Sequence, residues 1–501
     1  MSFLFGGKKG SATVHTVIQN TQKKPNKPTQ AREDPKVVPA RASPHPSKAL
    51  SVGNKRPTPR SSPKPAAVAR ERIASSRSRN SSTPTQQFSS DSESSEEDNE
   101  IDLAPARKRA RVEESDLDRK LCAIDDEVAE AEREISRLVE SADVTSKDTT
   151  SGLRSAFDSP DEVQTVELQY PSRYPPERFQ LVYPRQEKDY RPVVDIIETI
   201  EQIALHHFSP SDSKLLLDDS AGYPARLRRA LNKQIPADFT AALAAWNSEL
   251  QSAIHAGTCS THLSHSHTIP LALADKIYWQ TYARTVSPHV DRLRRYNAGT
   301  DDVYGELLPR FVHDIIRDTG LRSAHTFVDL GSGVGNAVLQ AALEAGCEAW
   351  GCELEPTRAR LAEEQARDFR ARCRMWGLRI GRIGLVEGDF TKHPKVVELI
   401  PRADVILVNN EKFQPRLNDA LLRMFLDLKD GARIVSLKSF APEGRKVTER
   451  NENSVANMLR SKRKFFGSDS VSWTDSGGEY HVAVKVPYEE RVNGKKRKSD
   501  D

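Results

Sequence analysis

The sequence predicts an α/β protein: a doubly wound sheet preceded by a mostly helical region and a long disordered N-terminal tail. Three observations carry this. A glycine-rich turn, Val328-Asp329-Leu330-Gly331-Ser332-Gly333-Val334-Gly335-Asn336, joins an apolar strand to a helix. Beyond it, short apolar runs alternate with amphipathic stretches, the pattern of a parallel sheet covered on both faces. Before it, residues 1–80 hold 17 Lys/Arg against 3 Asp/Glu, with abundant Pro and Ser. Such a segment cannot bury enough apolar surface to offset its chain entropy.

The tail is expected to run over 1–114, and the whole-chain net charge of +4 conceals its character. After the basic part, 1–80, comes an acidic run, 91–102, whose Ser92, Ser94 and Ser95 sit among Asp and Glu as phosphorylation sites would. Arg107-Lys108-Arg109-Ala110-Arg111 follows, and Lys495-Lys496-Arg497-Lys498 lies in a second basic disordered stretch, 488–501. Paired basic clusters of this kind suit nuclear import. A polycation of this density also favours phosphate-rich partners, and its affinity should fall steeply with salt.

Residues 115–140 change character: Leu117, Leu121, Ile124, Val128, Ala131, Ile135 and Leu138 alternate four and three apart. This predicts a heptad helix able to take a coiled-coil partner. A Ser/Thr/Asp-rich linker is expected over 141–161, then a helical region over 162–320, with helices at 193–206, 239–254 and 276–295. Strands are expected at 326–330, 348–353, 383–387, 404–408 and 432–436, with helices at 356–376 and 416–428. Two further β-like runs, 470–474 and 479–486, close an α/β domain spanning 321–487.

The five cysteines, Cys122, Cys259, Cys347, Cys352 and Cys373, are odd in number and not spaced as a disulfide framework. The chain shows neither an apolar leader nor an apolar run of membrane length, so a reducing, soluble compartment is expected. Cys259, His262, His265 and His267 are metal-ligand types without a second pair, and no metal is expected.

The glycine turn points to a nucleoside. Glycine allows a ligand close to the backbone, and the new helix offers unsatisfied N–H groups. Glu353, about twenty positions on at the end of the next strand, can chelate a ribose diol. The G-x-G-x-G spacing differs from the dinucleotide fingerprint, and Asp329 before it disfavours a pyrophosphate. A carboxylate there suits the ammonium and sulfonium of S-adenosylmethionine. Asp389 and Phe390 follow the third strand, where they can meet an adenine, and Asn409-Asn410 follow the fourth, beside a reacting centre.

Tyr304-Gly305-Glu306, Asp329 to Gly335, Glu353, Val408-Asn409-Asn410, Ile434 to Ser439 and Val471-Ser472-Trp473-Thr474 together resemble the disruptor of telomeric silencing family, in its fungal branch. The resemblance spans roughly 160–487. It implies a class I methyltransferase-type sheet and a non-SET histone-lysine N-methyltransferase. The target would be a lysine in the folded core of histone H3 within nucleosomes, with roles in telomere silencing and the DNA-damage checkpoint. It implies that Tyr304, Gly305, Glu306 and Leu307 cover the methionine moiety of the cofactor. Asp329, Gly331, Gly333, Gly335 and Asn336 would hold its amino-acid end, Glu353 the ribose, and Asp389 with Phe390 the adenine. Asn409 and Tyr480 would stand beside the transferring methyl, and Phe413, Val435 and Tyr480 would line a lysine channel. The nucleosome would be the partner, with ubiquitinated histone H2B as a stimulator. The chain departs from the family after the Asn pair, where Glu411 and Lys412 precede Phe413. Two alternatives stay open: a nucleic-acid methyltransferase on the same fold, and a non-catalytic chromatin scaffold.

Overall fold

The structure, a computed structural model, describes residues 116–124, 138–145, 153–158, 163–184, 189–293, 304–441, 450–451 and 454–487. The basic tail, the acidic run, both basic clusters and residues 125–137 of the heptad lie outside the described residues.

The chain first builds a helical region with two small antiparallel sheets. After α1 (Ser141–Val144), strands β1 (Leu153–Ser155) and β4 (Val182–Pro184) pair, as do β2 (Thr165–Leu168) and β3 (Glu177–Gln180). Helices follow: α2 (Pro192–His207), α3 (Pro210–Leu216), α4 (Tyr223–Asn232), α5 (Pro236–His255), α6 (Thr258–Ser264), α7 (Leu271–Thr285), α8 (Val290–Leu293) and α9 (Pro309–Thr319). Four of them begin with proline and α4 has Pro224 at its second position; proline has no N–H to leave unsatisfied at a helix start. On α2, Val193, Ile196, Ile197, Ile200 and Ile203 recur at helical spacing and all are buried.

The second part alternates strand and helix: β5 (Thr326–Leu330), α10 (Asn336–Glu344), β6 (Glu348–Glu353), α11 (Pro356–Met375), β7 (Ile383–Glu387), α12 (Pro394–Leu399), β8 (Val405–Val408), α13 (Pro415–Met424), β9 (Arg433–Ser436), β10 (Leu459–Phe466) and β11 (Gly478–Lys485). The seven strands lie in the order β10-β11-β9-β8-β5-β6-β7. Strands β5 to β9 run parallel, whereas β11 is antiparallel to β9 and β10 to β11. The chain winds outward from β5 through β6 to β7, then returns to β8 on the other side. That reversal opens a crevice at the carboxyl ends of β5 and β8.

A buried ionic network fastens the helical region to the sheet. Glu177 on β3 accepts from Arg284 Nε of α7 at 2.9 Å and from Arg372 Nη1 of α11 at 3.0 Å. Asp195 on α2 takes Arg284 Nη2 and Lys276 Nζ, each at 2.8 Å. Each carboxylate thus meets two cations, the condition under which burying such charges is tolerable.

Several sequence expectations need correction. Residues 116–124 of the expected heptad helix are not helical; they form a strap along the sheet domain that opens with a turn at 117–118. Ala123 N donates to Gly377 O and Arg379 N to Leu121 O, while the Arg119 guanidinium donates to the carbonyls of Leu343 and Glu344 at the end of α10. Leu121 and Ile124 are buried beneath it, but Leu117 is exposed. The expected linker 141–161 contains α1 and β1, with Ser141 and Ala142 buried. The expected helix over 276–295 begins earlier, at Leu271, and breaks after Thr285. Val471 and Thr474 make isolated bridges rather than a strand over 470–474, and an unexpected strand, β10, forms before them at Leu459–Phe466. Among the described residues no helix is long and apolar enough to cross a membrane, and no cluster of three or more His, Cys, Asp or Glu could hold a metal.

Candidate active site

A cleft opens where the sheet reverses direction. Its floor is the turn after β5. Gly331, Gly333 and Gly335 there have φ of +92°, +56° and +89°, a left-handed run that residues with a Cβ adopt only with strain. The Gly331 and Gly333 amides sit within this cradle, and Asn336 begins α10. Gly335 itself does not line the cleft; it packs behind it against Leu385 and Ala362.

Two buried carboxylates, Asp329 and Glu353, and the half-buried Glu306 face this space. Asp329, on β5, is pushed up to about 8 by its burial and by the charge of Glu353. Glu353, at the end of β6, accepts from Gly333 N at 2.8 Å with Oε2 and from Glu355 N at 2.9 Å with Oε1. Glu306 is raised by burial, although Tyr304, Tyr282 and Asn336 all donate to it. Such a set favours a ligand carrying positive charge.

The segment 304–308 forms the wall opposite, pinned by the Val471–Thr474 stretch. Leu308 N donates to Ser470 O, Ser472 N to Glu306 O, and Glu306 N to Ser472 Oγ, each at 2.9 Å. Gly305 lies so close to Trp473 that a Cβ would stand 2.7 Å from the indole. The V-S-W-T motif therefore acts by holding this segment over the cleft.

From β8, the Asn409 side-chain amide donates to Gly305 O at 3.2 Å. Asn410 instead binds the Lys438 backbone at 3.0 and 2.8 Å and joins the ends of β8 and β9. Phe413 lines the cleft and stacks on Phe390, ring centroids 6.3 Å apart. Glu411 and Lys412 are absent from the lining: the Glu411 carbonyl accepts from Lys438 and its carboxylate stands 3.9 Å from Lys412. The departure after the Asn pair therefore leaves an aromatic on the wall.

Twelve sequence-expected residues gather here: Tyr304, Gly305, Glu306, Leu307, Asp329, Gly331, Gly333, Asn336, Glu353, Phe390, Asn409 and Phe413. Three others, besides Gly335, do not. Asp389 folds back into its own turn, accepting from Thr391 N and Oγ1 at 2.9 and 2.6 Å. Val435 is buried in the sheet core. Tyr480, expected beside the reacting methyl, packs its ring edge-on against Phe311, centroids 4.9 Å apart, and donates to Asp318 Oδ2 at 2.5 Å. Sequence reasoning missed Ser332, Val334, Ala337, Leu354, Arg358 and Leu417, which also line the cleft.

Strand order, glycine cradle and acidic strand ends define a class I methyltransferase-type α/β protein. The family description "Histone methylation protein DOT1" matches residues 282–485. The chain is 45% identical over 414 residues to a histone-lysine N-methyltransferase, H3 lysine-79 specific, of Aspergillus fumigatus, covering 82% of this chain and 81% of that one. Enzymes of the same description from Emericella nidulans and Yarrowia lipolytica are 43% and 39% identical, covering 75% and 62% of this chain and 76% and 63% of theirs. The chain belongs to the DOT1 family of histone methylation proteins.

Proposed function

We propose that this chain is a nucleosomal histone H3 lysine N-methyltransferase that uses S-adenosylmethionine and acts in the nucleus on the lysine that its curated relatives are named for, lysine-79. The observation that carries the reading is one cleft shared by a left-handed glycine cradle, three carboxylates and Asn409. The residues fit this cofactor: Asp329 and Glu306 suit its ammonium end, Glu353 its ribose and Phe390 its base. When bound, it supplies an electrophilic methyl on a sulfonium.

The chain's own residues do the rest. Asn409, tied to Gly305 O, orients the incoming amine. Phe413 and Leu417 give the wall apolar surface, and an apolar wall disfavours the charged form of a lysine, which must be neutral to attack. Excluding water and aligning the two reactants supply several kcal/mol of the barrier, on the order of 7–11 at best. The released proton passes to solvent; Asn409 has no basic lone pair to take it. The basic tail anchors nucleosomal DNA, and ubiquitin on histone H2B is expected to raise the rate.

The test is labelled S-adenosylmethionine incubated in parallel with nucleosomes, free histones, DNA and RNA. Label on histone H3 of nucleosomes is expected. Label confined to DNA or RNA would replace this reading with a nucleic-acid methyltransferase, and no label with bound cofactor would leave a scaffold.

A further inference from the structure

We propose that Arg358 is a positioning residue of the cofactor cleft: it ties the strand-end carboxylate Glu353 to the ring of Tyr304, and so sets how tightly S-adenosylmethionine is held. The inference rests on the adenosylmethionine reading above. Arg358 lies in the first turn of α11, where its N–H donates to the Glu355 carboxylate at 2.8 Å, a cap that fixes the helix start. From there the side chain returns to the end of β6. Its Nη1 stands 3.3 Å from Glu353 Oε1, and its Cζ lies 5.2 Å from the Tyr304 ring centroid. The residue is only 4% exposed.

The Tyr304 ring also meets the glycine turn, close enough that a Cβ on Gly333 would stand 3.2 Å from Cε2. The ring therefore touches both the glycine turn and the guanidinium, and its hydroxyl donates to Glu306. Among the described residues lining the cleft, Asp329, Glu306 and Glu353 are the acids and Arg358 is the one Lys or Arg. One planar cation thus spans the two walls that would enclose the cofactor, β6 on one side and the 304–308 segment on the other. Arginine suits this place because a guanidinium stays charged and can stack on an aromatic face while pairing with a carboxylate. A lysine ammonium can keep the pair but lacks the guanidinium's planar face toward the ring. Nothing in the run Pro356-Thr357-Arg358-Ala359-Arg360 marks Arg358 out; Arg360 is the ordinary surface charge, paired with Glu364.

The test compares the full chain with Arg358→Gln and Arg358→Lys. Cofactor binding is measured by calorimetry, folding by thermal melting, and nucleosome methylation as separate kcat and KM values. Arg358→Gln should weaken cofactor binding by about tenfold or more, the scale of one charged contact. The KM for cofactor should rise in step, while kcat at saturating cofactor and the KM for nucleosomes stay within about twofold. Arg358→Lys should recover part of the affinity. A folded Arg358→Gln with wild-type affinity would overturn the proposal, as would a fall in kcat at unchanged affinity. If Arg358→Gln does not fold, Arg358→Lys decides alone: weaker cofactor binding supports the tie, and wild-type affinity overturns it. A wild-type chain that binds no S-adenosylmethionine would instead overturn the functional reading beneath it.

Discussion

Glu353 Oε2 accepts the Gly333 N–H at 2.8 Å, so the carboxylate that ends β6 is fixed to the turn that follows β5. The two strand ends where the sheet brings a ligand are thereby one rigid unit. Glu353 also acts on Asp329 through its charge, so cradle and carboxylates cannot be altered independently.

Gly331→Arg should stop methylation and Asn409→Ala should slow it, by different routes. Gly331 has φ +92°, and its missing Cβ faces open space up to Phe413 Cζ at 3.9 Å. An arginine there is strained and fills the cradle, so cofactor binding should be lost. Alanine at 409 leaves the cradle intact; cofactor affinity should change by less than about threefold and turnover should fall by about tenfold or more, as misalignment of reactants does. Calorimetry beside single-turnover rates separates them, and equal loss of binding in both would contradict this division of roles between Gly331 and Asn409.

Asp329 gives a pH dependence with a definite sign. Its folded value, about 8, lies above that of an unfolded aspartate, so the folded cofactor-free chain binds more protons between the two. Stability from this group therefore falls as pH rises from about 4 towards about 8. A cationic ligand favours the carboxylate, so cofactor binding should release a proton and strengthen as pH rises towards about 8. Titration calorimetry at neutral pH in buffers of differing ionisation enthalpy measures that release; proton uptake would contradict it.

Tyr480→Phe should cost stability and spare chemistry. Its hydroxyl serves Asp318, outside the cleft, and losing one bond to a carboxylate costs about 1.5–3 kcal/mol. The melting temperature should fall while kcat stays within about twofold. A collapse in kcat at unchanged stability would restore Tyr480 to the lysine channel.

The parts of the fold that were legible are those whose apolar residues serve one purpose. Val405-Ile406-Leu407-Val408 is buried at every position, as a central parallel strand must be, and its run is plain in the sequence. Strand β10 was not legible because Leu459-Arg460-Ser461-Lys462-Arg463-Lys464 is a charged sheet edge, polar by the need to discourage further pairing. The spacing of Leu121 and Ile124 suggested a helix, but these residues anchor a strap whose backbone pairs with residues 377–379. At the site, the glycines and acids stood at strand ends where topology demands a ligand. Arg358 was hidden because contact with Tyr304 and Glu353 depends on tertiary folding.

Deleting residues 1–80 should weaken nucleosome binding and flatten its dependence on salt, because fewer counterions are released. Methylation should recover in part at high enzyme concentration. An unchanged salt slope would move the phosphate contacts to the folded domain.

What matters most is whether the cleft serves one lysine presented by the folded surface of a nucleosome. Mass spectrometry of histone H3 after reaction of the full chain with nucleosomes, free H3 and short H3-tail peptides tests this most directly. A methyl mark on the H3 core at lysine-79 is expected in nucleosomes, with little on free H3 and none on the peptides. A mark confined to the flexible tail, or equal rates on peptide and nucleosome, would contradict it.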